Sequence, residues 1–193
     1  MNFDLSKTIS LIRGGLLDRE NTWRAYFETS PDWKDTAVSL TAPLLLANIV
    51  LGIVFSRLSG GFFSYGHGQG FLGGLLIGLV MAIVGVILFT LVINLMAGVF
   101  GGKSDFSRAF AAVTFVMIPS WLAAIVGALI PVVGLFIAMA GGIIGLVFLY
   151  QILPLALAIP EQKRVAHFVS SIVLGIAVQM IIGMLFIADV PAP

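Results

Sequence analysis

The residues from Ala97 to Phe106, AGVFGGKSDF, come nearest to a chemical motif in this chain. The stretch contains Gly102-Lys103-Ser104, with Ala97 five positions before Gly102. It thus approaches the pattern in which backbone amides wrap a phosphate and a lysine reaches its outer oxygens. That chemistry needs a strand to deliver the glycine-rich turn and an acid to hold magnesium. Here the preceding residues are an apolar helical run, alanine replaces the first glycine, and Asp105 is the only acid between Asp35 and Glu161. The expectation is an elbow between helices, with no nucleotide at Gly102-Lys103-Ser104. Gly101 and Gly102 would permit a left-handed exit turn, and Ser104 and Asp105 would cap the next helix.

Other chemistry is sparse. The chain has no cysteine, which excludes disulfides, thiolate metal sites and cysteine nucleophiles. Its two histidines, His67 in SYGHGQG and His167 beside Lys163 and Arg164, fall on opposite sides of the topology derived below. They cannot share a metal, so His67 reads as a solvated loop residue and His167 as an interface residue. No catalytic residue, metal or cofactor is expected. The polar residues within apolar runs include Asn94, Ser120 and Gln151. They either bond across helices or line a polar path. Pro43, Pro119 and Pro154 lie inside three such runs, where each frees a backbone carbonyl and can bend its helix.

The elements that must position these residues follow from composition. Of 193 residues, 60% are hydrophobic and only 10% charged, and the mean hydropathy is +1.12. Soluble domains carry about 25% charged residues, so this is a membrane protein. A net charge of +1 offers no clustered basic surface for nucleic acid. Uncharged runs cover 36–56, 58–102, 109–160 and 168–188. A spanning helix takes about 20 apolar residues. The second run opens with SGGFFSYGHGQG, too polar for a lipid-exposed helix. The third is long enough to cross twice and breaks at Pro131, which can open a helix. An all-α bundle of five transmembrane helices results, near 34–58, 70–100, 105–129, 131–158 and 163–188, preceded by a segment over 1–33.

Loop charge orients the bundle. With the N-terminus inside and the C-terminus outside, Lys7, Arg13, Arg19, Arg24, Lys34, Lys103, Arg108, Lys163 and Arg164 are cytoplasmic, and only Arg57 is not. Away from their ends the predicted spans contain no ionisable residue, which weighs against a proton pump or voltage sensor. In the N-terminal segment Leu5, Ile9, Ile12 and Leu16 follow helical spacing, and Trp23, Tyr26 and Phe27 lie one turn apart. Two arrangements suit these stripes: a helix lying in the lipid interface, or packing on the bundle's own cytoplasmic end. Ser30-Pro31-Asp32 reads as the start of the first span. Small residues at Gly70, Gly74, Gly78, Gly141 and Gly145 have the spacing of close helix contacts, within the bundle or between copies.

These features in this order resemble the Yip1 domain family of five-span membrane proteins, over roughly residues 11–178. The resemblance rests on VFGGKSDFSRAFAAVTFVMIPSWLAAI, with its Phe-Gly-Gly elbow and a proline in the third span. PVVGLF, LYQILPLAL and EQKRVAHFVSSIVLG add to it. It implies a helical bundle without known enzymatic chemistry. Eukaryotic members carry long polar N-termini and an Asp-Leu-Tyr-Gly-Pro motif and act with Rab-type GTPases. This sequence has neither feature and resembles the short prokaryotic branch.

The expected function is that of a non-enzymatic adaptor or organiser at the cytoplasmic face of the cytoplasmic membrane. Its surface would be Trp23, Arg24, Tyr26 and Phe27 beside Gly101, Gly102 and Lys103. Its partners would be the lipid bilayer, another copy of itself, or another membrane protein. The alternative is a small-solute permease or channel with a path near Asn94, Ser120 and Gln151. Because the chain lacks cysteine, topology is directly testable. Cysteine at Gly66 should react with an impermeant thiol reagent from outside, and cysteine at Ser104 only after lysis. The reverse pattern would overturn the orientation.

Overall fold

The computed structural model describes residues 4–58 and 71–187, so His67, Gly66 and Gly70 lie outside the described residues. Two short helices, α1 (Leu5–Leu17) and α2 (Arg19–Glu28), precede the spans. A single turn, α3 (Trp33–Thr36), runs through a π-helical stretch, Ala37–Thr41, into α4 (Ala42–Leu58). The remaining helices are α5 (Phe71–Val99), α6 (Phe106–Gly127), α7 (Pro131–Leu157) and α8 (Glu161–Ile187). No strand occurs among the described residues. Five helical stretches are long and apolar enough to cross a membrane: Trp33–Phe55, Leu72–Val99, Phe106–Gly127, Val133–Leu157 and Glu161–Ile182. This is an all-α, multi-pass membrane protein, with spans where the apolar runs put them.

Each helix has a local cause. Asp4 caps α1, its carboxylate accepting from the amides of Ser6 (2.9 Å) and Lys7 (3.2 Å). Asp105 caps α6, accepting from the Arg108 amide at 3.0 Å. Pro131 opens α7 at its first position, where its missing N–H costs nothing. The start of the first span differs from expectation. Asp32, not Ser30, stands at the N-cap position without a side-chain cap bond. Ser30 takes a left-handed backbone (φ 48°) and turns the chain out of α2.

α6 is the most enclosed span, with an unbroken buried run from Ala109 to Val116. Its closest neighbour is α7, and glycine sets their separation. A Cβ at Gly145 would stand 2.9 Å from the Val116 carbonyl oxygen, and one at Gly141 would stand 2.8 Å from that of Pro119. Backbones this close exclude any larger residue. Gly78 likewise faces Ile49 of α4, and Gly74 is buried. These small residues serve contacts inside the bundle. Contacts inside the bundle were one of the two uses that their spacing suggests.

α1 and α2 lie across one end of the bundle. The core extends into them through Trp23, Tyr26 and Phe27, and Leu11, Ile12 and Leu16 pack against it. Of the two arrangements that suit the aromatic stripe, the structure shows packing on the bundle's own end. Trp23 is 1% exposed and Phe27 3%. The Trp23 ring meets Phe148 of α7 edge-on, with centroids 5.2 Å apart, and Tyr26 meets Phe115 of α6 at the same distance. The rings pack on the protein rather than on lipid, because the end of the bundle offers aromatic faces that bury them.

Candidate functional site

The α1–α2 cap, the α5–α6 elbow and the α7–α8 turn meet at one end of the molecule. This region gathers most of the described basic side chains. Its construction begins with a carbonyl problem. A proline inside a helix has no N–H, so the carbonyl four residues earlier loses its partner. Within a membrane such a group must be satisfied by the protein. Pro154 frees the carbonyl of Tyr150, and Arg164 of α8 donates to it through Nε at 2.7 Å. The Arg164 guanidinium also lies over the Tyr150 ring, 4.0 Å from its centroid. Pro43 stands four residues after Ser39, whose carbonyl accepts from the Thr8 hydroxyl of α1 at 2.5 Å. Two proline-freed carbonyls thus become attachment points for other helices.

The end of α7 repeats this solution. Ala158 terminates it in a left-handed conformation (φ 50°), leaving the last carbonyls without helical donors. Arg108, on the first turn of α6, supplies most of what is missing. Its Nη2 donates to Leu155 at 2.9 Å and its Nε to Ala156 at 2.6 Å. The Lys103 amide donates to Leu157 at 2.7 Å. The remaining terminal nitrogen of Arg108, Nη1, donates to the Phe27 carbonyl at the end of α2, at 2.9 Å. The guanidinium also faces the Phe27 ring at 5.0 Å. One arginine therefore joins α2, α6 and α7, with its charge at the negative ends of two helix dipoles.

The AGVFGGKS stretch is the elbow that the sequence suggests. Gly101 has φ 79°, a left-handed conformation natural to glycine. The Gly102 amide returns to the Ala97 carbonyl at 2.8 Å, which closes a Schellman turn. A Cβ at Gly102 would stand 2.7 Å from the Leu157 carbonyl oxygen, so the elbow can reach α7 only with glycine here. The Ser104 hydroxyl donates to the Asn94 carbonyl at 3.1 Å. The amides of Gly102 and Lys103 are thus bonded to carbonyls of this chain and do not point together toward an anion.

With this geometry in place, the chain can be compared with known proteins. The sequence profile of the Yip1 domain matches residues 19–183, most of the chain. The chain belongs to the Yip1 domain family. Searches of curated proteins and of solved structures each found no match. In this Yip1 protein the Phe-Gly-Gly elbow and the prolines of the third and fourth spans occupy structural positions. They shape helix ends and backbone contacts and carry no reactive group.

The expected site residues separate into two groups. Gly101, Gly102 and Lys103 sit beside the cap, as expected. Of the four cap residues, Arg24 alone is exposed, paired with Glu20 at 3.2 Å. Tyr26 bonds the Thr36 hydroxyl at 2.9 Å, and burial pushes its hydroxyl pKa above the ordinary value. Asn94, Ser120 and Gln151 do not come together. Ser120 donates to the Gly141 carbonyl at 3.3 Å, Asn94 lies by the elbow, and Gln151 lines a cavity under α2. His167 is corrected from an interface residue to a fully buried one, with Nε2 3.3 Å from the Ile93 carbonyl oxygen. It lies within the fifth span, so that span does contain an ionisable residue. Among the described residues no three histidines, cysteines or acids group to hold a metal.

Charge pattern identified Arg108 and Arg164 only as topology markers. Their structural role had one available signal. Each lies within reach of a helix end containing Pro154, where carbonyls must lack donors.

A double-mutant cycle checks the coupling. Arg164→Met should cost roughly 1.5–3 kcal/mol, the range for a hydrogen bond from a charged group. In a Pro154→Ala background, where an N–H returns to the Tyr150 carbonyl, the loss should shrink by about 0.5 kcal/mol or more. Unfolding of the four proteins in detergent measures this. Equal losses in both backgrounds would separate Arg164 from the proline.

Proposed function

We propose that this Yip1 protein is a non-enzymatic adaptor or organiser in the cytoplasmic membrane, working through its cap. Positive charge at the capped end supports a cytoplasmic position for that end, with the N-terminus inside and the C-terminus outside. The observation that carries the proposal is the cap itself. Two helices outside the spans are joined to three of them, yet α1 presents Leu5, Ile9 and Leu17 at 59%, 55% and 78% exposure. Lys7 and Arg13 on the same helix are also exposed. A rigidly seated amphipathic helix of this kind suits attachment to lipid headgroups or to another membrane protein. The separation of Asn94, Ser120 and Gln151 offers a permease no common path.

A photoreactive residue at Leu17 tests the proposal against its rival. In cells it should yield a discrete protein adduct, absent when the residue is placed at the mid-span surface position Ile143. Reconstituted vesicles should also be no leakier to glycerol or urea than empty ones. Solute flux lowered by Gln151→Leu, with no adduct at Leu17, would establish the permease instead.

A further inference from the structure

We infer that the cavity between α2, α7 and α8 is a binding site for a phosphate-bearing anion. The inference goes beyond the adaptor reading and does not depend on it. The cavity measures about 420 Å³ and is lined by Arg19, Glu20, Trp23, Gln151 and Arg164, with the turn around Pro154 beneath them. Its donors come from three helices and are already held in place. Arg19 lies over the Phe148 ring, 5.4 Å from its centroid. Arg164 is fixed by the Tyr150 ring and by its Nε bond to the Tyr150 carbonyl. That bond uses one edge of the guanidinium. Its two terminal nitrogens make no hydrogen bond to another described residue, and neither does the Arg19 guanidinium. Trp23, 1% exposed, lines the same cavity, and its Nε1–H has no partner among the described residues. A buried N–H without an acceptor is a costly feature to retain, and an anion beside two arginines would supply that acceptor.

Charge favours the same occupant. Arg19 and Arg164 face the cavity, and its one acid, Glu20, is paired with Arg24 at 3.2 Å. Two planar guanidinium groups with free terminal nitrogens match phosphate oxygens in geometry as well as in sign. The amide side chain of Gln151 adds a further donor. This is also where Gln151, expected on a transport path, finds a role. The site is distinct from the Gly102-Lys103-Ser104 elbow, whose amides are engaged.

The phosphate could belong to a lipid headgroup or to a free anion, and two probes distinguish these sources. The full-length protein in neutral-lipid nanodiscs would be titrated with inorganic phosphate and, separately, with short-chain phosphatidic acid. Binding would be followed by thermal stability and by the fluorescence of Trp23 in a Trp33→Phe, Trp121→Phe background. Saturable binding of either probe with a shift in Trp23 emission is expected; the lipid alone would identify a headgroup site, and both probes a free-anion site. Arg19→Gln should weaken binding by about tenfold or more, as loss of a charge-assisted bond implies. It should lower the stability of the unliganded protein only slightly, because Arg19 contributes a ring contact with Phe148 and no hydrogen bond to the bundle. Arg13→Gln, which removes an exposed cation of α1 that does not line the cavity, should leave affinity unchanged. No binding of either probe, or equal losses from Arg19→Gln and Arg13→Gln, would overturn the site.

Discussion

Inside a membrane no water replaces a lost backbone hydrogen bond, and that constraint organises this protein. Pro154 and the left-handed Ala158 leave the end of α7 with carbonyls at Tyr150, Leu155, Ala156 and Leu157 that its own helix does not satisfy. All four receive donors from outside α7: Tyr150 from Arg164 of α8, Leu155 and Ala156 from Arg108 of α6, and Leu157 from the Lys103 amide of the elbow. The proline and the helix end would be defects in an isolated helix. In the bundle they are the acceptors on which its neighbours are assembled.

The N-terminal cap extends the same scheme. Arg108 reaches the α2 end at Phe27 while holding α7, and Thr8 of α1 takes the Ser39 carbonyl near Pro43. Aromatic packing then seals α2, with Trp23, Tyr26 and Phe27 set against Phe115 and Phe148. Two helices that cross no membrane thereby become part of a membrane bundle. Their remaining exposed apolar residues, Leu5, Ile9 and Leu17 of α1, are what the adaptor proposal rests on, and the cavity beneath α2 is a consequence of how the two helices are seated.

The spans were legible because span length and hydropathy are properties of one helix at a time. Pro131, Asp105 and the glycine elbow were legible for the same reason, since caps and left-handed turns depend on a few adjacent residues. The cap was only half legible. A stripe of Trp23, Tyr26 and Phe27 looks the same whether it meets lipid or protein, and only the position of Phe115 and Phe148, more than 85 residues away, decides between them. Arg108 and Arg164 were read as charges. The sequence displays a charge directly, whereas its hydrogen-bond partners depend on three-dimensional packing. His167 was misplaced because its neighbours Lys163 and Arg164 suggested an interface, while its own face of α8 turns toward α5.

The central claim is that Arg108 holds the cap on the bundle by satisfying carbonyls of α2 and α7 together. Hydrogen exchange of the α2 amides in full-length protein, comparing wild type with Arg108→Gln, tests it most directly. Glutamine retains polarity but cannot reach three carbonyls at once. The account predicts faster exchange throughout Arg19–Glu28, with the central turns of α6 still protected. Unchanged α2 protection in a folded Arg108→Gln protein would contradict it, and the aromatic packing alone would then be what holds the cap.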